Sequence, residues 1–239
     1  EELKPETSTN YTLGLTADYG RFTFTADYYR IELEDRFYAV STRDVSTNPA
    51  ETNAYANYQS LIAAGVPESD ARNIGGVFFF QNAFDTITQG VDVVANYSLN
   101  TDYGLTVFTG SLNYNKTEFD SDPSAYLNAE DRFDFENAVP KFRGVFSVRH
   151  SFNDLTLLAR ANYYGSYENS DGTSTTDSSQ PAVIQKFDPE VFFDLEASYQ
   201  LTDALKITIG GRNIFDQYPQ KDEIGDECCG ALYYSGSVV

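Results

Sequence analysis

Apolar and polar residues alternate over eight or more positions in five segments of the chain, and each segment ends at a short polar turn. The clearest segment spans 191–201, where the odd positions are all apolar. Its even positions carry Phe192, Asp194, Glu196, Ser198 and Gln200. Because successive side chains of a β-strand point to opposite faces, the alternation predicts strands with one apolar and one polar face. Long strands with charges along one face are typical of a transmembrane β-barrel, which has lipid outside and water or a plug inside.

The alternation predicts eight antiparallel strands. They cover residues 10–19, 22–33, 77–99, 105–117, 141–152, 155–167, 191–201 and 205–214. In the second strand the apolar positions change phase between Asp27 and Tyr29, which predicts a β-bulge there. After that bulge, Tyr29, Ile31 and Leu33 are expected to continue the apolar face.

Short and long connections alternate along the chain. The short ones are 20–21, 100–104, 153–154 and 202–204, and the long ones are 40–76, 118–139 and 168–190. A helix is predicted at 50–64, where Gly65 and Pro67 would end it. Short turns on one edge and long loops on the other match the periplasmic and extracellular sides of a barrel. The expected fold class is therefore all-β: a segment of an antiparallel transmembrane β-barrel.

The composition supports a barrel and argues against a helical membrane protein. Mean hydropathy is -0.41, and no stretch approaches the roughly 20 apolar residues of a spanning helix. Aromatic residues make up 15% of the chain, with 18 Tyr and 18 Phe. Barrels concentrate such residues in girdles at the membrane interfaces, so the run Phe78-Phe79-Phe80 is expected in a girdle. The lack of methionine and of an apolar N-terminal run suggests a segment of a longer polypeptide.

The chain is strongly acidic, with a net charge of -20, which argues against a nucleic-acid partner. The acidic residues concentrate in two stretches, 120–136 and 222–227. One interpretation is a solvated surface, and the other is a surface for cations or cationic ligands at the cell exterior.

Enzyme chemistry is not expected. The single histidine, His150, adjoins Ser151 on a strand, so the two side chains would face opposite ways. No glycine-rich phosphate loop, metal site or cofactor is predicted. Cys228 and Cys229 are too few for a disulfide framework and lack metal-site spacing. They are interpreted as an extracellular disulfide, to each other or to a missing part of the chain, with a reactive site as the alternative.

The polar faces of the predicted strands carry charged residues that would line the interior of a barrel. These are Asp92, Arg143, Arg149, Arg160, Asp194, Glu196, Lys206 and Arg212. The short turn at 202–204 predicts Gln200 opposite Lys206, and hence Asp194 opposite Arg212. The apolar faces would form the outer wall. Its predicted members include Leu155, Leu157, Ala159, Phe193, Leu195, Ile207 and Ile209.

Three segments carry a resemblance to a known family. They read Leu3-Lys4-Pro5-Glu6-Thr7-Ser8-Thr9-Asn10-Tyr11-Thr12-Leu13-Gly14, Phe80-Gln81-Asn82-Ala83-Phe84-Asp85-Thr86-Ile87-Thr88-Gln89-Gly90-Val91-Asp92 and Gly211-Arg212-Asn213-Ile214-Phe215-Asp216-Gln217-Tyr218-Pro219. In this combination and order they resemble the C-terminal portion of TonB-dependent outer-membrane receptors. The resemblance implies that residues 1–239 supply about eight strands of a barrel of about 22. The family's plug domain, N-terminal strands and terminal strand are not recognised in this sequence.

The resemblance also implies a function. Such receptors import scarce large ligands across the outer membrane of Gram-negative bacteria, and the ligand classes are iron-siderophore, cobalamin or oligosaccharide. The implied partners are outer-membrane lipid, the rest of the barrel, the plug and the TonB system. Ligand contacts are expected at loop aromatics, namely Tyr55, Tyr58, Tyr126 and Phe133, for which local loop packing is the alternative. The alternative function is a structural or adhesive β-strand assembly, since an incomplete barrel exposes two sheet edges.

Overall fold

The structure, a computed structural model, describes residues 3–224. Its elements in chain order are β1 (Thr7–Tyr19), β2 (Phe22–Ala39), β3 (Arg43–Asp44), α1 (Thr52–Ala63), α2 (Glu68–Ala71), β4 (Gly76–Val77), β5 (Phe80–Thr101), β6 (Gly104–Phe119), α3 (Ala129–Asn137), β7 (Phe142–Phe152), β8 (Leu155–Tyr164), β9 (Tyr167–Thr173), β10 (Pro181–Phe187), β11 (Glu190–Thr202) and β12 (Leu205–Gly211).

Eight of these strands form one antiparallel sheet in the order β1-β2-β5-β6-β7-β8-β11-β12. The eight predicted strands are therefore confirmed, and each pairs with its neighbour along the chain. Two-residue turns join β1 to β2, β5 to β6, β7 to β8 and β11 to β12 at one end of the sheet. The three long connections, which carry the remaining elements, lie at the other end. We call these ends the short-turn end and the long-loop end.

The register separates the two faces of the sheet as the alternation predicts. Residues directly opposite each other in neighbouring strands share a face, so one rung carries Asp92, Asn113 and Arg143 and a rung beside it carries Val91 and Tyr114. The apolar positions form one continuous face. Across β1 from Leu13 to Tyr19 and the matching parts of the other seven strands, this face carries no Asp, Glu, Lys or Arg.

No second layer covers the apolar face within residues 3–224, so the outer-wall prediction is confirmed. Leu155 is 36% exposed and Ile209 is 75% exposed, and the other five predicted wall residues are exposed as well. The two buried apolar clusters centre on Tyr58 and Phe84, toward the long-loop end. A sheet that leaves its apolar face open, while its buried apolar clusters lie toward the long-loop end, requires lipid on that face.

The predicted bulge near Asp27 is wrong. The β1–β2 ladder runs without interruption from Thr7–Glu34 to Tyr19–Phe22, and the register of β2 on β5 shifts only between Leu33 and Phe37, next to Asp35 with φ of 53°. Tyr29, Ile31 and Leu33 consequently lie on the polar face. The outward positions of the sheet are apolar only over part of its height, which we call the apolar band. The apolar pattern of β2 changes phase where the strand extends beyond this band, because its next outward positions carry the ion pair of Arg30 with Glu32.

The long connections contain more structure than their sequences predict. The predicted helix at 50–64 is confirmed as α1, but α3 and the β9–β10 hairpin were not predicted. The strand predicted at 155–167 ends at Tyr164, because Gly165 and Ser166 separate it from β9. The strand predicted from residue 77 starts at Phe80, because Gly76–Val77 pairs instead with Arg43–Asp44.

Candidate functional site

The polar face brings together the charged residues that the sequence places inside a barrel. Asp92, Arg143, Arg149, Arg160, Asp194, Glu196 and Lys206 all occupy this face. Arg212 directly follows the last residue of β12. In one rung Asn113 donates a hydrogen bond of 2.6 Å from Nδ2 to Asp92, and the Arg143 guanidinium lies 6.0 Å from the centroid of the Tyr164 ring. That this face lines the lumen stays a prediction.

Negative and positive charges occupy separate regions across the polar face. Asp27 of β2 lies directly opposite Asp92 of β5, so two carboxylates are neighbours on one side of the sheet. Arginines follow on β7 and β8, acids on β11 and a lysine on β12. A cationic group would be attracted to the first region and an anionic group to the arginines.

The predicted register of β11 with β12 is confirmed, since Gln200 lies opposite Lys206. The predicted pair of Asp194 with Arg212 is wrong, because the ladder ends at Leu195 opposite Gly211. Asn213 has a positive φ of 46° and turns the chain out of the strand. The Asp194 carboxylate instead lies 3.8 Å from the Arg160 guanidinium, and it accepts hydrogen bonds from Asn162 Nδ2 and the Asn213 backbone N–H.

Two glycines of the recognised segments lie under side chains of β2. The Asp27 carboxylate occupies the space that a Cβ on Gly14 would need, and the Tyr29 ring does the same at Gly90. The Tyr29 hydroxyl accepts a hydrogen bond of 2.9 Å from Asn115 Nδ2. Glycine is required at Gly90, where the Tyr114 backbone carbonyl would also overlap an added Cβ, whereas at Gly14 the end of the Asp27 side chain could move aside.

Asn82 joins the first two recognised segments at the long-loop end. Its Oδ1 accepts from the Lys4 backbone N–H at 2.7 Å, while its Nδ2 donates to the carbonyls of Lys4 at 2.8 Å and Asp35 at 2.7 Å. Glu6 accepts a hydrogen bond from the backbone N–H of Phe37. These contacts hold the start of the chain against the irregular part of β2.

An aromatic cluster closes the long-loop end of the polar face. Phe135 of α3 stacks on Phe119 with 4.6 Å between ring centroids, and both rings pack against Phe84, which is 2% exposed. Tyr38 joins the cluster, and the Arg36 guanidinium lies 5.0 Å from the centre of the Phe135 ring. The helix α3 is thereby held against the ends of β2, β5 and β6.

The helix α3 also binds the hairpin of the next loop. Asp134 accepts hydrogen bonds of 2.8 Å from the backbone N–H and hydroxyl of Ser170, and Glu130 accepts one of 2.9 Å from the Gly172 N–H. Burial, with a smaller contribution from the negative Glu130 and Asp131, raises the pKa of Asp134 to about 6, although the hydrogen bonds from Ser170 act to lower it. The helix start has a signal in the sequence, because Asn128 caps the Asp131 N–H at 2.7 Å.

The four predicted ligand-contact residues fall into two groups. Tyr58 is 6% exposed inside the first loop and Tyr55 packs against its cluster, so both rings hold this loop together. Tyr126 packs partly against the cluster around Phe84, and Phe133 is half-buried on α3. Contact of any of the four with a ligand stays a prediction.

The acidic residues of the second long loop act mainly as hydrogen-bond acceptors for other loop segments. Besides Glu130 and Asp134, Asp131 accepts from Ser41 and Glu136 accepts from the Phe119 N–H. Residues 3–224 contain no group of three or more His, Cys, Asp or Glu side chains arranged to hold a metal ion. None of their helices has the length and apolar character needed to cross a membrane. Cys228 and Cys229 lie outside the described residues.

Comparison with known proteins places this sheet in a family. Residues 1–214 match the family model described as TonB dependent receptor-like, beta-barrel. The chain belongs to the TonB-dependent receptor family. TonB-dependent receptors are receptors and transporters of the Gram-negative outer membrane. No curated protein sequence matches the chain.

Solved structures of TonB-dependent receptors share the fold. The FrpB iron transporter from Neisseria meningitidis (F5-1 variant) is 17% identical, with a TM-score of 0.60, and the match covers 94% of this chain and 30% of FrpB. The siderophore receptor PirA from Acinetobacter baumannii is 16% identical (TM-score 0.60; 92% and 29% covered). The copper transporter OprC is 16% identical (TM-score 0.58; 92% and 28% covered). The chain spans less than a third of each of these structures.

Proposed function

We propose that residues 1–239 form the C-terminal portion of the barrel of a receptor that imports a scarce large ligand by TonB coupling. The observation that carries the proposal is that the sheet has one apolar and one charged face. Its outward face is uncharged and open over the membrane-spanning part, and its other face carries charged side chains on most of its strands. A wall of this kind separates lipid from a polar interior.

The proposed partners complete the barrel around that interior. A plug domain and further strands of the same receptor would cover the polar face and pair with the free edges of β1 and β12. The TonB system would act through the plug. The proposed location is the outer membrane of a Gram-negative bacterium.

Among the ligand classes, we favour one that carries a metal, as in an iron-siderophore. The support is that the structural neighbours are named as an iron transporter, a siderophore receptor and a copper transporter. Cobalamin and oligosaccharides are the alternatives. Tyr126 and Phe133, which are half-buried rather than enclosed in the first loop, are the proposed ligand contacts of this chain.

Uptake by the complete receptor tests this function. Cells that lack the receptor gene are expected to accumulate less of one iron-55-labelled siderophore, and the intact gene should restore uptake only when TonB is active. The same assay with labelled cobalamin and a labelled oligosaccharide distinguishes the three classes. Equal accumulation of all three ligands with and without the receptor would contradict the proposal.

The second candidate function is a structural or adhesive β-strand assembly. It is favoured by the two edge strands β1 and β12, whose outer edges have no partner strand within residues 3–224. Unpaired edges recruit other strands. The complete reading frame separates the two functions, because a plug domain before residue 1 and an aromatic-terminated strand after residue 239 belong to a receptor.

A further inference from the structure

Two extracellular loops meet through carboxylates rather than through apolar packing alone. Glu130 and Asp134 on α3 contact Ser170 and Gly172 on β9, and we call this contact the loop latch. The two carboxylates are one helical turn apart and therefore share a face of α3. They accept three hydrogen bonds of 2.8 to 2.9 Å from β9, and Ser170 is only 3% exposed. The latch is thus the polar centre of the interface between the second and third loops.

The carboxylates of the loop latch are surrounded mainly by other negative groups. The helix itself adds Asp131, and β9 adds Glu168 and Asp171. The other elements packed against α3 are β10, which carries Lys186, and β6, whose Lys116 and Glu118 pair with each other. The ends of β2 and β5 also contact α3, and there the Arg36 guanidinium lies against the Phe135 ring. Arg132 of α3 donates to the Ser179 carbonyl at 3.4 Å. The charges that act on Asp134 most directly are those of Glu130 and Asp131, so ionisation of Asp134 adds a repulsive charge.

Protonation does not break the hydrogen bonds of the loop latch. Both bonds from Ser170 end on Oδ1 of Asp134. A proton on Oδ2 therefore leaves Oδ1 as an acceptor for both donors. We propose that the loop latch is a proton-controlled connection between the second and third extracellular loops, tight when Asp134 is protonated and loose when it is ionised.

The direction of the pH dependence follows from linkage. Burial raises the pKa of Asp134 from 3.8 to about 6 in the closed latch, and burial also raises the pKa of Glu130. The closed form therefore binds more protons than the open form between about pH 4 and pH 6. Its stability relative to the open form increases as pH falls from 7.5 through 6 and decreases as pH rises again.

The loop latch also borders an open hollow at the extracellular surface. Asp131 and Asp134 line it from α3, while Tyr38, Ser41 and Phe78 line it from the first loop and the adjoining strands. Opening of the latch would move the α3 side of this hollow relative to the hairpin. Acid would then hold the two loops together, and neutral pH would release them.

Hydrogen exchange on the complete receptor in detergent tests the proposal. After correction for intrinsic exchange rates, peptides covering β9 are expected to exchange roughly tenfold more slowly at pH 5 than at pH 7.5. Peptides from the spanning part of β8 serve as the internal reference. The Asp134→Asn variant keeps an acceptor oxygen but cannot titrate, so β9 should stay protected at both pH values.

Two further variants keep the result interpretable. Asp134→Ala removes both acceptor bonds and should speed exchange in β9 at both pH values. Asp122→Asn removes an exposed carboxylate of the same loop whose hydrogen bond goes to Ser124 rather than to β9, and it should keep the wild-type pH profile. Equal protection of β9 at pH 5 and 7.5 in the wild type, or an unchanged pH profile in Asp134→Asn, would overturn the proposal.

Discussion

At the scale of single residues, side-chain contacts explain why particular residues occur in the segments that resemble the receptor family. Asn82 bonds two backbone segments, Gly90 makes room for a tyrosine ring, and Asp92 accepts a hydrogen bond from the next strand. The third segment behaves similarly, since Asn213 bonds the backbone of Gln217 in both directions. Motif recognition from the sequence identified these residues, but the partners of Asn82, Gly90 and Asp92 lie in other segments of the chain and became known only from the structure.

Replacement of Gly90 by alanine should destabilise the receptor by about 1–3 kcal/mol, because the added Cβ would overlap the Tyr29 hydroxyl and the Tyr114 carbonyl. The measurement is the urea midpoint of the complete receptor in detergent. Gly110→Ala is the matched control, since the nearest atom to its added Cβ is Phe146 Cδ2 at 4.0 Å. An equal midpoint for both variants would show that the Tyr29 ring does not require glycine beneath it.

Replacement of Asn82 by alanine removes three hydrogen bonds and should cost about 1–3 kcal/mol locally. Faster hydrogen exchange is expected around Lys4 and in the irregular part of β2, while exchange in β11 should not change. Asn100→Ala, in an exposed position at the short-turn end, is the control. If the two variants exchanged alike around Lys4, Asn82 would not hold this segment.

At the scale of elements, the alternation of apolar and polar residues predicts the strands of the main sheet but not the structure within the long loops. Period-two alternation located all eight strands of the main sheet, because one face must be apolar over the membrane. It misplaced the bulge of β2, because beyond the apolar band no lipid constrains which face is apolar. The helix α3 was missed because its stabilising contacts, to Phe84, Phe119 and Ser170, are all distant in sequence.

The two faces of β11 should respond differently to a positive charge. Leu195→Lys places the charge on the lipid side near the middle of the strand and should cost about 2–4 kcal/mol. Glu196→Lys places the same residue on the polar face one position away and should cost much less. The folded fraction of the complete receptor in lipid vesicles, titrated with urea, gives both values. Similar losses for the two variants would contradict the assignment of the faces.

At the scale of the whole molecule, the sheet described here is open. Its apolar face lacks a covering layer, and the edges of β1 and β12 are unpaired within residues 3–224. Burial of apolar area contributes about 25 cal/mol per Å², and in water this face buries little. Its stability should therefore depend on lipid and on additional strands.

Residues 1–239 expressed alone without detergent should not form a soluble folded monomer. The expected products are aggregates or an unfolded chain, because the exposed face and both sheet edges favour association. Sedimentation velocity and thermal unfolding provide the measurement, with the same segment in detergent as the comparison. A monodisperse monomer that melts cooperatively in water would contradict the membrane-barrel assignment.

The sequence by itself determined the strands, their faces, the turn register at Gln200 and Lys206 and the resemblance to the family. These depend on local alternation and on short motifs, which can be recognised without knowing any distant contact. Only the tertiary structure decided the partner of Asp194, the positions of Tyr29 and Tyr58, and the contact of α3 with β9. Each of these depends on side chains brought together from separate loops or strands, and a pattern along the chain does not contain that proximity.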